Sequence, residues 1–202
     1  MDLSFIQKLF EKKKPKLHML KWGLPEQRLV AEVKDADKTV YALKKNKAKF
    51  VSGGEFIDRI HAKQLGETAF TYFIVRTEKK TENETILFDG YMAQEEEQLN
   101  LQLQNSYSIE EDLDNLGYAE AVNREVIEWR FNYSLIKASV FEIDGFGSFI
   151  EIAIPKTKLV RTRENQEKQA FELLEKIGIK KEEAIPTDVI TLQLVQSMQE
   201  KK

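Results

Sequence analysis

The sequence predicts an α+β fold: an antiparallel β-barrel of tunnel-like form, or a strongly curved sheet, with helices outside it and at the C-terminus. Three observations support this. Apolar and polar residues alternate at period two, between turn residues, over most of positions 16–155, the pattern of half-buried strands. One capped helical stretch interrupts them near 108–117. Beyond Pro155 the apolar spacing becomes helical.

Taken in order, positions 2–14 read as a short amphipathic helix. Phe5, Ile6, Leu9 and Phe10 share a face, Lys12, Lys13 and Lys14 suit the C-terminal dipole, and Pro15 stops it. Such a helix packs on its own domain or offers its face to a membrane surface or a protein partner. Strands are expected near 17–22, 28–35, 38–44, 56–64, 69–77, 84–91, 95–104, 123–133, 136–143 and 148–154. Between them, Ser108 and Glu111 make a capping box, Ile109, Leu113 and Leu116 an apolar stripe, and Gly117 a left-handed stop. A helix over 164–177 ends at Gly178, and Thr187 caps a last one running to about position 199. With no linker or repeat, 1–202 reads as one domain: the helix of 1–15, a β-rich tunnel over 16–155 and C-terminal helices over 156–202.

Several strands carry one polar face. Arg124, Val126, Glu128, Arg130 and Asn132 oppose Asn123, Glu125, Ile127, Trp129, Phe131 and Tyr133. Arg59, His61 and Lys63 oppose Phe56, Asp58, Ile60 and Ala62. A sheet wet on one side satisfies this pattern, and so does a barrel with a polar lumen. Arg124 and Arg130 with Glu128 between them also fit a cross-strand salt-bridge ladder. Gly53–Gly54 lies outside any phosphate-loop pattern and reads as a turn or bulge. Lys44, Lys45, Lys47 and Lys49 read as a charged hairpin tip, with a contact to phosphate or nucleic acid as the alternative.

Composition narrows the function. The 202 residues are 42% hydrophobic and 32% charged, which suits a packed domain rather than a disordered chain. With 31 basic against 34 acidic residues the net charge is −3, which disfavours a generally basic nucleic-acid binder. There is no cysteine, so thiolate metal sites, disulfides and cysteine nucleophiles are excluded. Two histidines, His18 and His61, are too few for an all-histidine metal centre. No apolar run is long enough for a transmembrane segment, and positions 1–16 lack the layout of a signal peptide, so a soluble, cytoplasmic protein is expected.

The stretch Val140-Phe-Glu-Ile-Asp-Gly-Phe-Gly-Ser-Phe-Ile-Glu-Ile-Ala-Ile154 resembles a signature of the CYTH superfamily, the triphosphate tunnel enzymes that include class IV adenylyl cyclases and thiamine triphosphatases. In that family a Gly-apolar-Gly corner leads into a Phe-x-Glu-x-Glu strand; here the corner is Gly145-Phe146-Gly147 and the strand runs Phe149 to Ala153. The helix ending Leu173-Leu174-Glu175-Lys176-Ile177-Gly178 is similar as well, as is Asp112-Leu-Asp-Asn-Leu-Gly-Tyr118. Arg59-Ile-His61 resembles the family's Arg-x-Arg strand, and Val30-Ala-Glu32-Val-Lys34 is a partial counterpart of its Glu-x-Glu-x-Lys strand.

The resemblance implies a tunnel whose basic residues grip a triphosphate while carboxylates hold Mg²⁺ or Mn²⁺. The residues it nominates for phosphate are Lys34, Arg59, His61, Lys63, Arg124 and Arg130, and those for a metal are Glu32, Glu142, Asp144 and Glu151. Three positions depart from the family: Phe73 stands in the lysine strand, Phe141 in place of an acid, and Ala153 in place of the second strand glutamate. Their joint loss removes charge stabilisation and positioning, on which phosphoryl transfer depends. The expected function is therefore a CYTH-like domain with degraded catalytic residues, serving as a polyanion- or triphosphate-binding or structural interaction module. The alternative is a Mg²⁺- or Mn²⁺-dependent triphosphatase or related phosphohydrolase acting on tripolyphosphate, a nucleoside triphosphate or thiamine triphosphate. Expected partners are a phosphorylated small molecule or polyphosphate, or a protein bound through the N-terminal helix.

Overall fold

The structure, a computed structural model, describes residues 27–66, 70–81, 84–89, 109–155, 157 and 159–200. The expected strands at 17–22 and 95–104, the helix of 2–14 and the Ser108 cap lie outside these residues. The described chain runs β1 (Gln27–Val33), α1 (Ala36–Lys45), β2 (Lys49–Gln64), β3 (Phe70–Glu78), β4 (Glu84–Asp89), α2 (Ile109–Asn115), β5 (Ala119–Tyr133), β6 (Ile136–Ile143), β7 (Gly147–Ile154), α3 (Val160–Lys176), a 3₁₀ turn at Lys181–Glu183 and α4 (Val189–Glu200). The strands form one seven-stranded sheet in the order β1-β7-β6-β5-β2-β3-β4, with every pairing antiparallel. Among the described residues β1 and β4 are its edges, so the sheet is open.

One predicted strand is a helix instead. Positions 38–44 belong to α1, because Asp35 accepts a hydrogen bond from the Lys38 N–H at 2.9 Å and caps it. Ala36, Val40 and Leu43 then fall on one buried face at helical spacing, and Lys44 and Lys45 close the last turn. The lysine run is thus a helix end followed by a strand start, not a hairpin tip. The last helix is also capped differently from the expectation: Asp188, not Thr187, accepts from the Thr191 N–H at 2.8 Å and from its hydroxyl at 2.7 Å. Gly53 and Gly54 lie within β2, with a register shift beside them between Phe50 and Ser52.

Apolar residues fill both faces. On one, Leu29, Phe131, Val140, Ile150 and Ile152 pack against Leu43 of α1 and Leu173 and Leu174 of α3. On the other, Val30, Ile60, Ile74, Val126, Phe141 and Phe149 pack against Val189, Leu192 and Leu194 of α4. Residues Val189 to Val195 are all buried, the mark of a helix enclosed on every side. Its approach is fixed at the sheet edge, where Val30 and Ile185 exchange backbone hydrogen bonds of 2.9 and 2.7 Å.

Adjacent residues at the start of α4 report the curvature. Asp188 accepts from the Tyr72 hydroxyl of β3 at 3.0 Å, and the Val189 N–H donates to Glu151 of β7 at 3.0 Å. Four steps of strand order separate β7 from β3, roughly 19 Å in a flat sheet at about 4.8 Å per step. Two neighbouring residues reach both only because the sheet curls around the helix. Leu192 is wholly buried at that contact. Leu192→Ala is expected to cost about 2–5 kcal/mol in urea unfolding, and a loss below about 1 kcal/mol would show that α4 is not part of the core.

Candidate functional site

The concave face carries a charged row built by strand register. Asp58 of β2 stands opposite Arg76 of β3 and opposite Arg124 of β5, so one carboxylate separates two guanidiniums. Arg76 donates from Nε to Asp58 Oδ1 at 2.7 Å and from Nη2 to Oδ2 at 2.8 Å, a bidentate fork. Arg124 donates to Asp58 Oδ2 from Nε at 3.2 Å and Nη2 at 3.1 Å, and from Nη1 to Gln193 Oε1 of α4 at 2.6 Å. The row continues along β5: Arg76 also bonds Glu128, and Arg130 donates to Glu128 at 2.6 and 3.0 Å.

Local sequence makes room for this reach. The Arg76 guanidinium lies 4.4 Å from the centroid of the Phe56 ring, a favourable cation–π geometry. Gly54 stands opposite Glu128, and a Cβ there would come within 3.0 Å of that same ring.

Burial sets the electrostatics. Asp58 is 0% exposed, and Arg76, Arg124 and Glu128 are buried with it. Burial works against the charge on Arg76, but Asp58 and then Glu128 outweigh it and hold its pKa above the ordinary arginine value. For Arg124 burial prevails over Asp58 and lowers the pKa. Burial raises Glu128, yet the hydrogen bond from Arg130 and the charge of Arg76 leave its carboxyl below the usual range. Glu151, on the same face, lies 3.6 Å from Arg28 and accepts from the α4 backbone. Three guanidiniums around two carboxylates leave the row with positive charge, and its accessible end is Arg130, whose side chain is 48% exposed.

The residues nominated from sequence are dispersed. Arg124 and Arg130 lie in the row. Arg59, His61 and Lys63 stand opposite Val75, Phe73 and Thr71, on the other face of β2 from Asp58, because strand side chains alternate. His61 is buried there and makes no side-chain hydrogen bond, and Phe73 packs edge-on to Tyr118 with centroids 4.8 Å apart. Lys34 is exposed just past β1. Glu32 shares the concave face with Glu151, since Glu32 pairs with Phe149 and Val30 with Glu151. Glu142 and Asp144 instead line a shallow groove of about 470 Å³ with Glu55, Lys79, Glu125 and Phe146. Among the described residues no three Asp, Glu or His side chains come together to hold a metal ion. Asp58, Arg76 and Gln193 were not nominated. The signal of Asp58 and Arg76 is cross-strand pairing, which alternation alone does not reveal, and that of Gln193 is the packing of α4 on β5.

Two outcomes follow from the row. Asp58→Asn leaves two buried guanidiniums without their shared carboxylate and is expected to cost about 3–5 kcal/mol in urea unfolding; a loss within about 1 kcal/mol would contradict the described pairing. Because the Glu128 pKa is lowered in the folded state, its contribution is present above the ordinary value of about 4.3 and is lost as pH falls through the lower folded value. Stability measured at pH 6, 4 and 3 is expected to fall less steeply in Glu128→Gln than in the parent chain.

No protein-family model matches the chain, and no curated protein does. Solved structures do resemble it. A conserved hypothetical protein of Pyrococcus furiosus matches with TM-score 0.53 at 15% identity, over 83% of this chain and 99% of its own. A Pyrococcus horikoshii protein matches with TM-score 0.51 at 16% identity, over 88% and 100%. A proposed adenylate cyclase of Vibrio parahaemolyticus matches with TM-score 0.53 at 13% identity, over 85% and 99%. At such identities the likeness is one of fold alone.

Proposed function

We propose that this chain uses a CYTH-like fold as a non-hydrolytic interaction module whose lumen is closed by its own ion pairs and by α4. One observation carries the reading: Asp58 and Glu128 occupy the places beside Arg76, Arg124 and Arg130 that an anionic ligand would take. A triphosphate would have to displace two buried carboxylates and the Gln193 amide. Each displaced carboxylate would then carry a large desolvation cost. The departures at Phe141 and Ala153, both on the concave face, support the same reading, whereas Phe73 lies on the other face against Tyr118. Phe141 faces Phe149 across β6 and β7 and puts an apolar side chain where the resemblance implies an acid.

A second reading rests on Arg130. Its half-exposed guanidinium and the excess positive charge of the row support a weak, metal-independent grip on polyanions at the open end. Against Mg²⁺ or Mn²⁺ catalysis, the nominated carboxylates fall into two separate pairs, Glu32 with Glu151 and Glu142 with Asp144, and no three such groups come together among the described residues.

Thermal unfolding with tripolyphosphate, ATP or thiamine triphosphate, with and without Mg²⁺ or Mn²⁺, separates these readings. The closed module predicts no shift and no phosphate release. A ligand at about 100 times its dissociation constant would add roughly 2.7 kcal/mol. A metal-dependent shift accompanied by phosphate release would overturn the proposal. A metal-independent shift abolished by Arg130→Ala would replace it with the polyanion grip.

A further inference from the structure

Of the seven large hydrophobic residues exposed among the described residues, five lie in segments that meet at one end of the sheet, and Tyr41 and Leu65 are the other two. Among the described residues Phe50, Val51 and Leu135 are 47%, 53% and 47% exposed. Phe50 and Val51 open β2, and Leu135 is in the β5–β6 hairpin turn. The register joins them, since Lys49 pairs with Asn132 and Phe50 with Phe131, just before that turn. β7 ends at the same edge, where Ala153 pairs with Lys137, and exposed Leu159 and Val160 follow it.

Basic charge surrounds this end. Lys44, Lys45, Lys47 and Lys49 are all exposed, and none of the four forms an ion pair among the described residues. The Lys44 ammonium lies 5.6 Å from the Phe50 ring centroid. Lys176 joins them from the end of α3, where its carbonyl accepts from the Asn46 side chain at 3.4 Å. At the β6–β7 turn, the other end of the sheet, Glu125, Glu142 and Asp144 line the shallow groove. A chain of net charge −3 is thus basic at one end and acidic at the other.

The geometry points to a peripheral docking surface for an anionic phospholipid membrane. Phe50, Val51 and Leu135 enter the headgroup layer, and the lysines at 44, 45, 47 and 49 lie against its phosphates. Three features favour lipid over other anions. The exposed apolar residues are mainly aliphatic, which gives nucleic-acid bases little to stack on. The cations are lysines, point charges on long apolar stems that reach up to headgroups, rather than arginine forks for base edges. The surface is built from a strand start, a hairpin turn and helix ends, which suits a plane better than the groove a peptide needs. The acidic far end orients the molecule on approach. By register Lys49 falls on the concave side, opposite Asn132 beyond Arg130, but none of these residues takes part in the Asp58 row, so the inference stands apart from the proposed lumen role.

Co-sedimentation of the full chain with phosphatidylcholine vesicles, with and without phosphatidylserine, tests it. Binding is expected only with phosphatidylserine and is weakened by salt. Each lysine is worth about fivefold, so the triple change Lys44→Gln, Lys47→Gln, Lys49→Gln is expected to weaken binding on the order of a hundredfold. Val51→Glu with Leu135→Glu should also reduce it, while Leu65→Glu, at the far end of β2, should not. Thermal unfolding of each variant confirms that it is folded. Absence of binding to anionic vesicles, binding unchanged by the lysine variant, or binding to a single-stranded oligonucleotide but not to vesicles would each overturn the inference.

Discussion

A single buried carboxylate shared by two guanidiniums constrains the architecture. Asp58 satisfies Arg76 through both oxygens and Arg124 through one, with essentially no water at hand. Ions in such a place gain little over apolar packing, yet become costly when one partner moves away. The arrangement therefore acts on register. A one-residue slip of β2 would turn Asp58 to the opposite face and leave the two cations stranded. The same row reaches beyond the sheet, because Arg124 takes its remaining acceptor from Gln193. Sheet register and helix placement are tied through one side chain.

This coupling explains how a polar concave face coexists with a packed interior. Charges run along β2, β3 and β5, and the apolar layer of Val126, Ile143, Phe141 and Phe149 lies beside them on β5, β6 and β7. The helix α4 covers both, with Leu192 against the apolar part and Gln193 against the charged part. Its complete burial over Val189–Val195 follows from having two unlike surfaces to satisfy.

Much of the strand content was legible because alternation and glycine stops are local. Gly117 and Gly178 take φ values of +82° and +88° and end their helices where the sequence places them. The stretch 38–44 was misread because its β-prone Val40 and Tyr41 outweighed a capping aspartate just upstream, and the decisive apolar spacing spans barely two turns. The split of β2 into two faces was readable, but which face turns inward was not. That choice depends on Arg76 and Arg124, eighteen and sixty-six residues away from Asp58 along the chain. Arg59 and His61 carry the family-like spacing, while Asp58, one position earlier, makes the ion pairs. Alternation turns a shift of one residue into a change of environment.

The hydrogen bonds from Tyr72 to Asp188 and from Val189 to Glu151 also set an order of events in biosynthesis. Asp188 and Val189 both follow every described strand along the chain. During synthesis every described strand is made before the helix that draws β3 and β7 together. Until then the nascent sheet has no packing partner for Phe141 and Phe149, and Arg124 lacks Gln193. Exposed strands awaiting distant contacts are the species most open to mispairing. The interval between making β7 and completing α4 is therefore when these strands are most open to mispairing.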